Sequence, residues 1–288
     1  MAVPYKAPVK DIVFGYEVID SYSVLNKISA FSDFSEDIVI PTMEECAKFS
    51  EEILAPINSI GDQQGATIKD GVVTMPEEFV DAYKKFAEAG WASISLPSDI
   101  GGGGMPITLS GGTLEILSTA NLAFGLAPGL SAGAISAINF HGNQEQKDKF
   151  LPKLVSGEWT GTMNLSEPQS GSDLGTITTK AEPQEDGSYK ITGTKVWITF
   201  GEHNMTENII HLVLAKVPGS PEGTKGISMF LVPKYIVNDD GSIGDSNNVN
   251  CISIEEKLGI HASPTCVMEY DGSVGYLVGE ENRGLNYM

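Results

Sequence analysis

Between Glu77 and Glu88 the apolar residues Phe79, Tyr83, Phe86 and Ala87 recur three and four positions apart. That spacing forms one face of a helix. It predicts a helix through GVVTMPEEFVDAYKKFAEAGW, with Pro76 at its first position and Gly90 as its stop. Upstream, Ser35 followed by Glu36 and Asp37 marks a helix start with acids at its positive end, and helical patterning then runs to about Gly61. LSGGTLEILSTANLAF and LSAGAISAINFHG predict two more helices. QEQKDKFLPKLVSGE predicts a short amphipathic one with Phe150, Leu151 and Leu154 on one side. Residues 36–158 therefore read as all-helical. Residues 1–35 show aromatics but no clear period, and read as an irregular leader that packs on the body.

After Glu158 the pattern changes. TGTMNL, GSYKITGTKVWITF, NIIHLVLAKV, GISMFLVP, NCISIEE and TCVMEYDGSVGYLVG are short runs rich in Val, Ile, Thr, Tyr and Phe, bounded by Gly, Pro, Asn or Asp. Residues 159–278 therefore predict an antiparallel β-barrel or sandwich, and the fold class is α+β with a helical domain first. No long helices alternate with these strands, which disfavours a parallel nucleotide-binding sheet. GEENRGLNYM, residues 279–288, reads as a strand exit and the start of a truncated C-terminal helical domain.

Composition changes the picture at three points. The 38 acidic against 18 basic residues, net −20, argue against nucleic acid or an anionic membrane as partner. From Ile116 to Gln144 there is no Asp, Glu, Lys or Arg. The stretch is long enough to span a bilayer, but its glycines, Pro128, serines and interior asparagines predict helices buried within a soluble protein. The cysteines Cys46, Cys251 and Cys266 form no CxxC pair and read as free thiols in a reducing compartment. The N-terminus lacks the apolar core of a secretory signal. The expected location is the cytoplasm, with no metal site.

Three segments could carry chemistry. Gly101–Gly104 offers successive backbone N–H groups to a phosphate, but lacks the GK[ST] ending, so a flexible turn competes with that reading. Met163–Gly175, MNLSEPQSGSDLG, presents Ser166, Ser170, Ser172 and the open backbone of Gly171 to an anionic or carbonyl-rich ligand. The competing reading is a self-satisfied turn in which Glu167 and Asp173 cap the backbone. In Lys195–Phe200, Trp197 and Thr199 share one strand face. There they could stack on and bond to a planar ring, or sit as an ordinary core tryptophan beside a satisfied threonine. His141, His203, His211 and His261 show no metal-ligand spacing, and no GxSxG elbow supports a serine nucleophile.

Together these segments resemble the acyl-CoA dehydrogenase family. LPSDIGGGGMP, FHGNQEQKDKFLPKLVSGEWTG, MNLSEPQSGSD, YKITGTKVWIT, KGISMFLVPK, EEKLGIHASPTCVMEYDG and LVGEENRGL resemble family segments in the family's order, over residues 36–288. Ser98-Asp99 departs from the usual acidic position, and Ser166 stands where the family has Thr. The leader and the wording GIHASPTC resemble the subgroup that includes the 3-methylmercaptopropionyl-CoA dehydrogenases.

The resemblance implies a helical domain, a middle barrel and a C-terminal helical bundle, the last missing here. It implies FAD as cofactor, contacted by Met163, Leu165, Ser166, Gly171, Ser172, Trp197, Ile198 and Thr199, with Ser172 also facing the CoA part of the substrate. The implied reaction is α,β-dehydrogenation of an acyl-CoA thioester to the trans-2-enoyl-CoA, with electrons passed to an electron-transfer flavoprotein. The implied assembly is a homodimer or homotetramer. No catalytic residue is expected within residues 1–288: the base is a Glu of the C-terminal bundle, so Glu167, Glu280 and Glu281 are not it, and residues 1–288 alone are expected to be inactive. Alternatives from the same residues are an acyl-CoA oxidase or a non-catalytic flavin- or acyl-CoA-binding module.

Overall fold

The computed structural model describes residues 4–288. The leader is helical, contrary to the irregular segment expected. Helix α1 (Val9–Val18) starts directly after Pro8, and α2 (Ser21–Leu25) follows. The reason lies in Val9, Ile12, Val13 and Tyr16, which keep helical spacing and dock on the main helical core. The Tyr16 hydroxyl donates to the Thr108 carbonyl at 2.6 Å.

Helix α3 (Glu36–Phe49) runs through a π-helical turn, Ser50–Leu54, into α4 (Ala55–Gln64). A small antiparallel hairpin then interrupts the helices: β1 (Thr67–Lys69) and β2 (Val72–Thr74). Residues 72–74 are thus strand rather than part of the next helix, because the apolar run Val72–Val73 pairs across the Asp70–Gly71 turn, where both residues have positive φ. Helix α5 (Glu77–Glu88) begins after Pro76 and buries Phe79, Ala82, Tyr83 and Phe86. Helix α6 is Ile107–Ala120 and α7 is Leu122–His141. The break falls at Asn121, whose side chain accepts from the Phe124 N–H at 3.1 Å. Pro128 sits inside α7 instead of ending it: tertiary packing along the helix outweighs one lost backbone bond. Helix α8 (Gln144–Val155) opens with a reciprocal cap between Asn143 and Gln146. The Gln146 amide also donates to the Leu277 carbonyl at 2.8 Å, tying this helix to the barrel.

The strands are β3 (Trp159–Asn164), β4 (Lys180–Pro183), β5 (Tyr189–Thr199), β6 (Asn208–Lys216), β7 (Ile227–Pro233), β8 (Tyr235–Val237), β9 (Ile243–Ser246), β10 (Val249–Glu255) and β11 (Thr265–Val278). A short helix α9 (Gly284–Tyr287) follows. Pairings β11–β5, β5–β4, β4–β6, β6–β7 and β7–β11 close a ring. The ring closes because the long β11 pairs with β5 over most of its length and with β7 at Tyr276–Val278.

The sheet is mixed, which corrects the antiparallel barrel expected from the sequence. Strand β3 runs parallel to β6 from Trp159↔Asn208 to Asn164↔Val213, and β4 meets β6 in parallel at Lys180↔Lys216. Strand β6 is buried at every position but its last, the continuous apolar pattern of a strand covered on both faces.

One of its covers is α7, which also locks the helical domain onto β3. The Gly161 N–H donates to Ser131 Oγ at 3.1 Å. A Cβ on Gly161 would stand 2.4 Å from Ala134 Cβ, so only glycine permits this approach. Among the described residues α7 is the one helix long and apolar enough to cross a membrane, and here it lies against the sheet.

Candidate functional site

Strand β3, held between α7 and β6, delivers the loop 165–179 to the end of β5. The loop folds on itself first: Glu167 and Ser170 exchange backbone hydrogen bonds at 2.8 and 2.9 Å around Pro168. Ser170 is buried and donates to the Asp173 carbonyl at 2.6 Å, so this serine belongs to the turn. Asp173 accepts from the Gly175 N–H, as the capping reading anticipated. Ser166 is half-buried and Ser172 exposed.

Glu167 does far more than cap. Its side chain is 1% exposed and lies 2.9 Å from the fully buried Lys195 ammonium. Oε1 also accepts from the Thr179 N–H and hydroxyl, at 3.1 and 2.6 Å. Oε2 accepts from the Thr178 N–H and hydroxyl and from the Gln169 amide, at 2.7, 2.9 and 2.7 Å. Burial raises this carboxyl, but the Lys195 charge and the threonine hydrogen bonds overcome it and hold the group down at about 2. Burial lowers the Lys195 ammonium to about 8, against the pull of Glu167. Both groups are therefore charged at neutral pH. Sequence reasoning missed this pair. The signal available was Lys195 four residues after Ile191, on the inward-facing alternation of β5, a position that demands a partner.

Lys195 also donates to the Leu165 carbonyl at 3.0 Å, and the Val196 N–H donates to the Ser166 carbonyl at 2.9 Å. Loop and strand are thus stitched together on either side of Ser166. Just beyond, the β5–β11 register shifts between Lys195 and Ile198. In that bulge Trp197 adopts φ +59°, and Phe200 follows at +51°. The other described non-glycine residues with positive φ are Asp or Asn, which tolerate it. A bulky residue held there stores about 1–3 kcal/mol of strain. The result is a tryptophan 51% exposed, between the buried side chains of Val196 and Ile198.

The expected contact residues thus divide by what they present. Trp197 and half-buried Thr199 lie on the outer face of β5, and Gly171 borders the indole: a Cβ there would lie 3.6 Å from Trp197 Cζ3. Met163 is half-buried, its sulfur 2.8 Å from where a Gly133 Cβ would be. Ile198 turns its side chain into the barrel core, leaving its backbone for any ligand. Leu165 packs on the core between α7 and the barrel. Loop and strand meet in an open shelf where Gly171 borders Trp197 and the Ser166 carbonyl is tied to Val196, with exposed Ser172 and half-buried Thr199 close to them along the chain.

The glycine loop 101–104 lies elsewhere and is already satisfied. The N–H groups of Gly102, Gly103 and Gly104 donate to the carbonyls of Pro97, Ser93 and Leu96, each at 2.9 Å. A Cβ on Gly102 would approach the Leu96 carbonyl oxygen to 2.2 Å. These glycines allow a tight backbone crossing, and their amides do not form a phosphate cradle.

Two of the histidines are structural. His211 Nδ1 lies 2.7 Å from the Thr162 hydroxyl, which also accepts from Asn164, and the Tyr270 hydroxyl donates to Asn164 at 2.9 Å. His203 Nδ1 accepts from the Met205 N–H at 3.1 Å, which leaves Nε2 to donate to Thr160 at 2.9 Å. Burial, with the Lys234 charge adding to it, lowers both histidines to about 3, so they are neutral. The three cysteines are free and buried. No cluster of His, Cys, Asp and Glu among the described residues is arranged to hold a metal.

The family description "Acyl-CoA dehydrogenase, N-terminal domain" matches residues 42–158, and "Acyl-CoA dehydrogenase, middle domain" matches residues 162–273. The chain belongs to the acyl-CoA dehydrogenase family. A 3-methylmercaptopropionyl-CoA dehydrogenase of Ruegeria pomeroyi is 46% identical over 99% of this chain and 48% of its own length. A butyryl-CoA dehydrogenase of Syntrophomonas wolfei is 36% identical over 96% of this chain and 46% of its own. The chain therefore spans about half the length of these relatives. Among solved structures, an acyl-CoA dehydrogenase from Bacillus anthracis, complexed with FAD, superposes with a TM-score of 0.71 at 26% identity, over 89% of this chain and 39% of that one. In this acyl-CoA dehydrogenase chain the shelf lies on the middle domain, and α7, which supports it, belongs to the N-terminal domain.

Proposed function

We propose that this chain builds the flavin-facing and thioester-facing surface of an FAD-dependent acyl-CoA dehydrogenase, converting an acyl-CoA to its trans-2-enoyl-CoA. The observation that carries the reading is Trp197, held half-exposed in a strained backbone beside Gly171, with the Ser166 carbonyl tied to the adjacent Val196. Strain of this kind persists where function uses it.

The residues present fit a flavin. An exposed indole offers a face for a planar ring, and Ser166 and Thr199 offer hydroxyls on the same shelf. FAD, when bound, accepts the hydride that leaves the β carbon of the acyl thioester. Trp197 orients the ring system, while Ser166 and Thr199 bond its polar edge through their hydroxyls. Ser172, exposed at the loop tip, faces the CoA portion of the substrate. Positioning of this kind, rather than acid–base work, is what these residues supply. Glu167 is not the base that removes the α proton: its carboxylate is occupied by Lys195 and held at about 2, far from the value a base needs near neutral pH. The proposal places that base outside residues 1–288, names an electron-transfer flavoprotein as acceptor, and assigns a cytoplasmic, homo-oligomeric enzyme.

The test is anaerobic mixing of acyl-CoAs with FAD-loaded full-length enzyme, which carries the base as well as residues 1–288, followed by admission of O₂. Flavin bleaching with enoyl-CoA formation, and slow reoxidation in air, supports the dehydrogenase. Rapid reoxidation with peroxide release assigns an oxidase instead. Residues 1–288 alone are expected to show no bleaching, and steady turnover by them contradicts the placement of the base; binding without bleaching by the full-length enzyme leaves a binding module and contradicts the proposal.

A further inference from the structure

We infer that Glu167 and Lys195 are positioning residues, whose buried contact fixes the ligand-facing Ser166 and the strained Trp197 in a single frame. The inference rests on the flavin reading above and assigns these two side chains a part in it.

Three separated pieces of chain converge on the pair. Lys195 Nζ reaches the Leu165 carbonyl at the start of the loop and Glu167 Oε1 within it. The Glu167 carboxylate takes the backbone N–H groups of Thr178 and Thr179 at the loop's far end. Lys195 lies two residues before Trp197, at the last regular pairing ahead of the bulge, where it opposes Met268. Ser166 stands between Leu165 and Glu167 and is held to β5 by Val196. Loop and strand are therefore joined through one buried salt bridge and the hydrogen bonds around it.

Stability alone does not account for such an arrangement. A buried ion pair often gives no more stability than apolar groups of similar size, and apolar residues such as Ile191, Val213, Phe230 and Met268 pack the barrel interior. What an ion pair with six donors on one carboxylate adds is direction. The hydrogen bonds fix the loop backbone at both ends, and through Lys195 they fix the bulge that holds Trp197 in its left-handed conformation. A methionine and a glutamine of similar volume would fill the space without specifying that geometry.

The experiment separates positioning from stability. Glu167→Gln combined with Lys195→Met leaves no uncompensated charge. Denaturant unfolding, the FAD dissociation constant and the visible flavin spectrum are measured on native protein and on this double variant. Positioning predicts near-native unfolding, an FAD dissociation constant raised about tenfold, and a bound-flavin spectrum shifted toward that of free FAD. Native affinity and spectrum in a folded double variant overturn the inference. Thr178→Val is the second variant, used whether or not the double variant folds: it removes one hydroxyl bond to Glu167 at a surface position. It is expected to raise the FAD dissociation constant about two- to threefold with unfolding unchanged, and unchanged binding overturns the inference. If the native protein binds no FAD, the functional reading itself fails, and the positioning role fails with it.

Discussion

Gly171 borders the Trp197 indole so closely that a methyl group in place of its hydrogen would rest 3.6 Å from the ring. That is ordinary van der Waals distance, and Gly171 has no positive φ to protect. Gly171→Ala is therefore expected to fold with stability within about 0.5 kcal/mol of native, while a bulkier Gly171→Leu covers the indole and weakens FAD binding. Equal FAD affinity in native and leucine forms would remove this contact from the site.

Trp197 makes the complementary prediction. Its left-handed φ is strained for tryptophan and free for glycine. Trp197→Gly is expected to unfold no earlier in denaturant than native protein, relief of about 1–3 kcal/mol of strain offsetting the lost side-chain contacts. FAD affinity is expected to fall at least tenfold. Loss of stability together with retained affinity is the opposite result and would mark a structural tryptophan.

The glycines of the 101–104 loop and of α6 separate steric from conformational demand. Gly102→Ala drives a Cβ against the Leu96 carbonyl and is expected to cost about 1–3 kcal/mol. Gly111 lies inside α6 with nothing within 4 Å of a Cβ, so Gly111→Ala is expected to add about 0.5–1 kcal/mol. Added inorganic phosphate is expected to stabilise neither form through the loop, whose amides are already bonded. Denaturant midpoints read all three.

Acid stability follows from the buried groups. His203 and His211 are lowered from 6.5 to about 3, so the unfolded chain binds protons that the folded one refuses. Their contribution is complete above 6.5 and is lost as pH falls toward about 3. Glu167 behaves likewise over a lower window, from 4.5 down to about 2. Stability is therefore expected to fall on acidification from neutral pH, and His203→Gln, which cannot titrate, to flatten the upper part of that decline. A slope unchanged by His203→Gln would place the titration elsewhere.

Much of this was legible in the sequence, for physical reasons. Helices α5 and α8 announced themselves because their buried residues keep a helical period and their ends carry turn residues. Helix α1 was missed although Val9, Ile12, Val13 and Tyr16 keep the same period; the neighbouring Phe14 and the prolines at 4 and 8 obscured it. Strand direction left no trace, since β3 and β6 are parallel only through the 43 residues that separate their ends. The contact segments stood out as motifs, yet the Glu167–Lys195 pair spans 28 positions, and the strain at Trp197 depends on a bulge against β11. Both are set by tertiary register, which no local pattern records.

The most direct measurement of the central claim is a titration of FAD followed by tryptophan fluorescence, on native protein and on Trp197→Phe. Trp159 is buried at the start of β3 and Trp91 lies in the helical domain, so the contact quenching contributed by Trp197 is read as the difference between native protein and Trp197→Phe. The account predicts saturable quenching in the native protein and loss of most of it in the variant. FAD that does not bind, or that quenches both proteins equally, would contradict it.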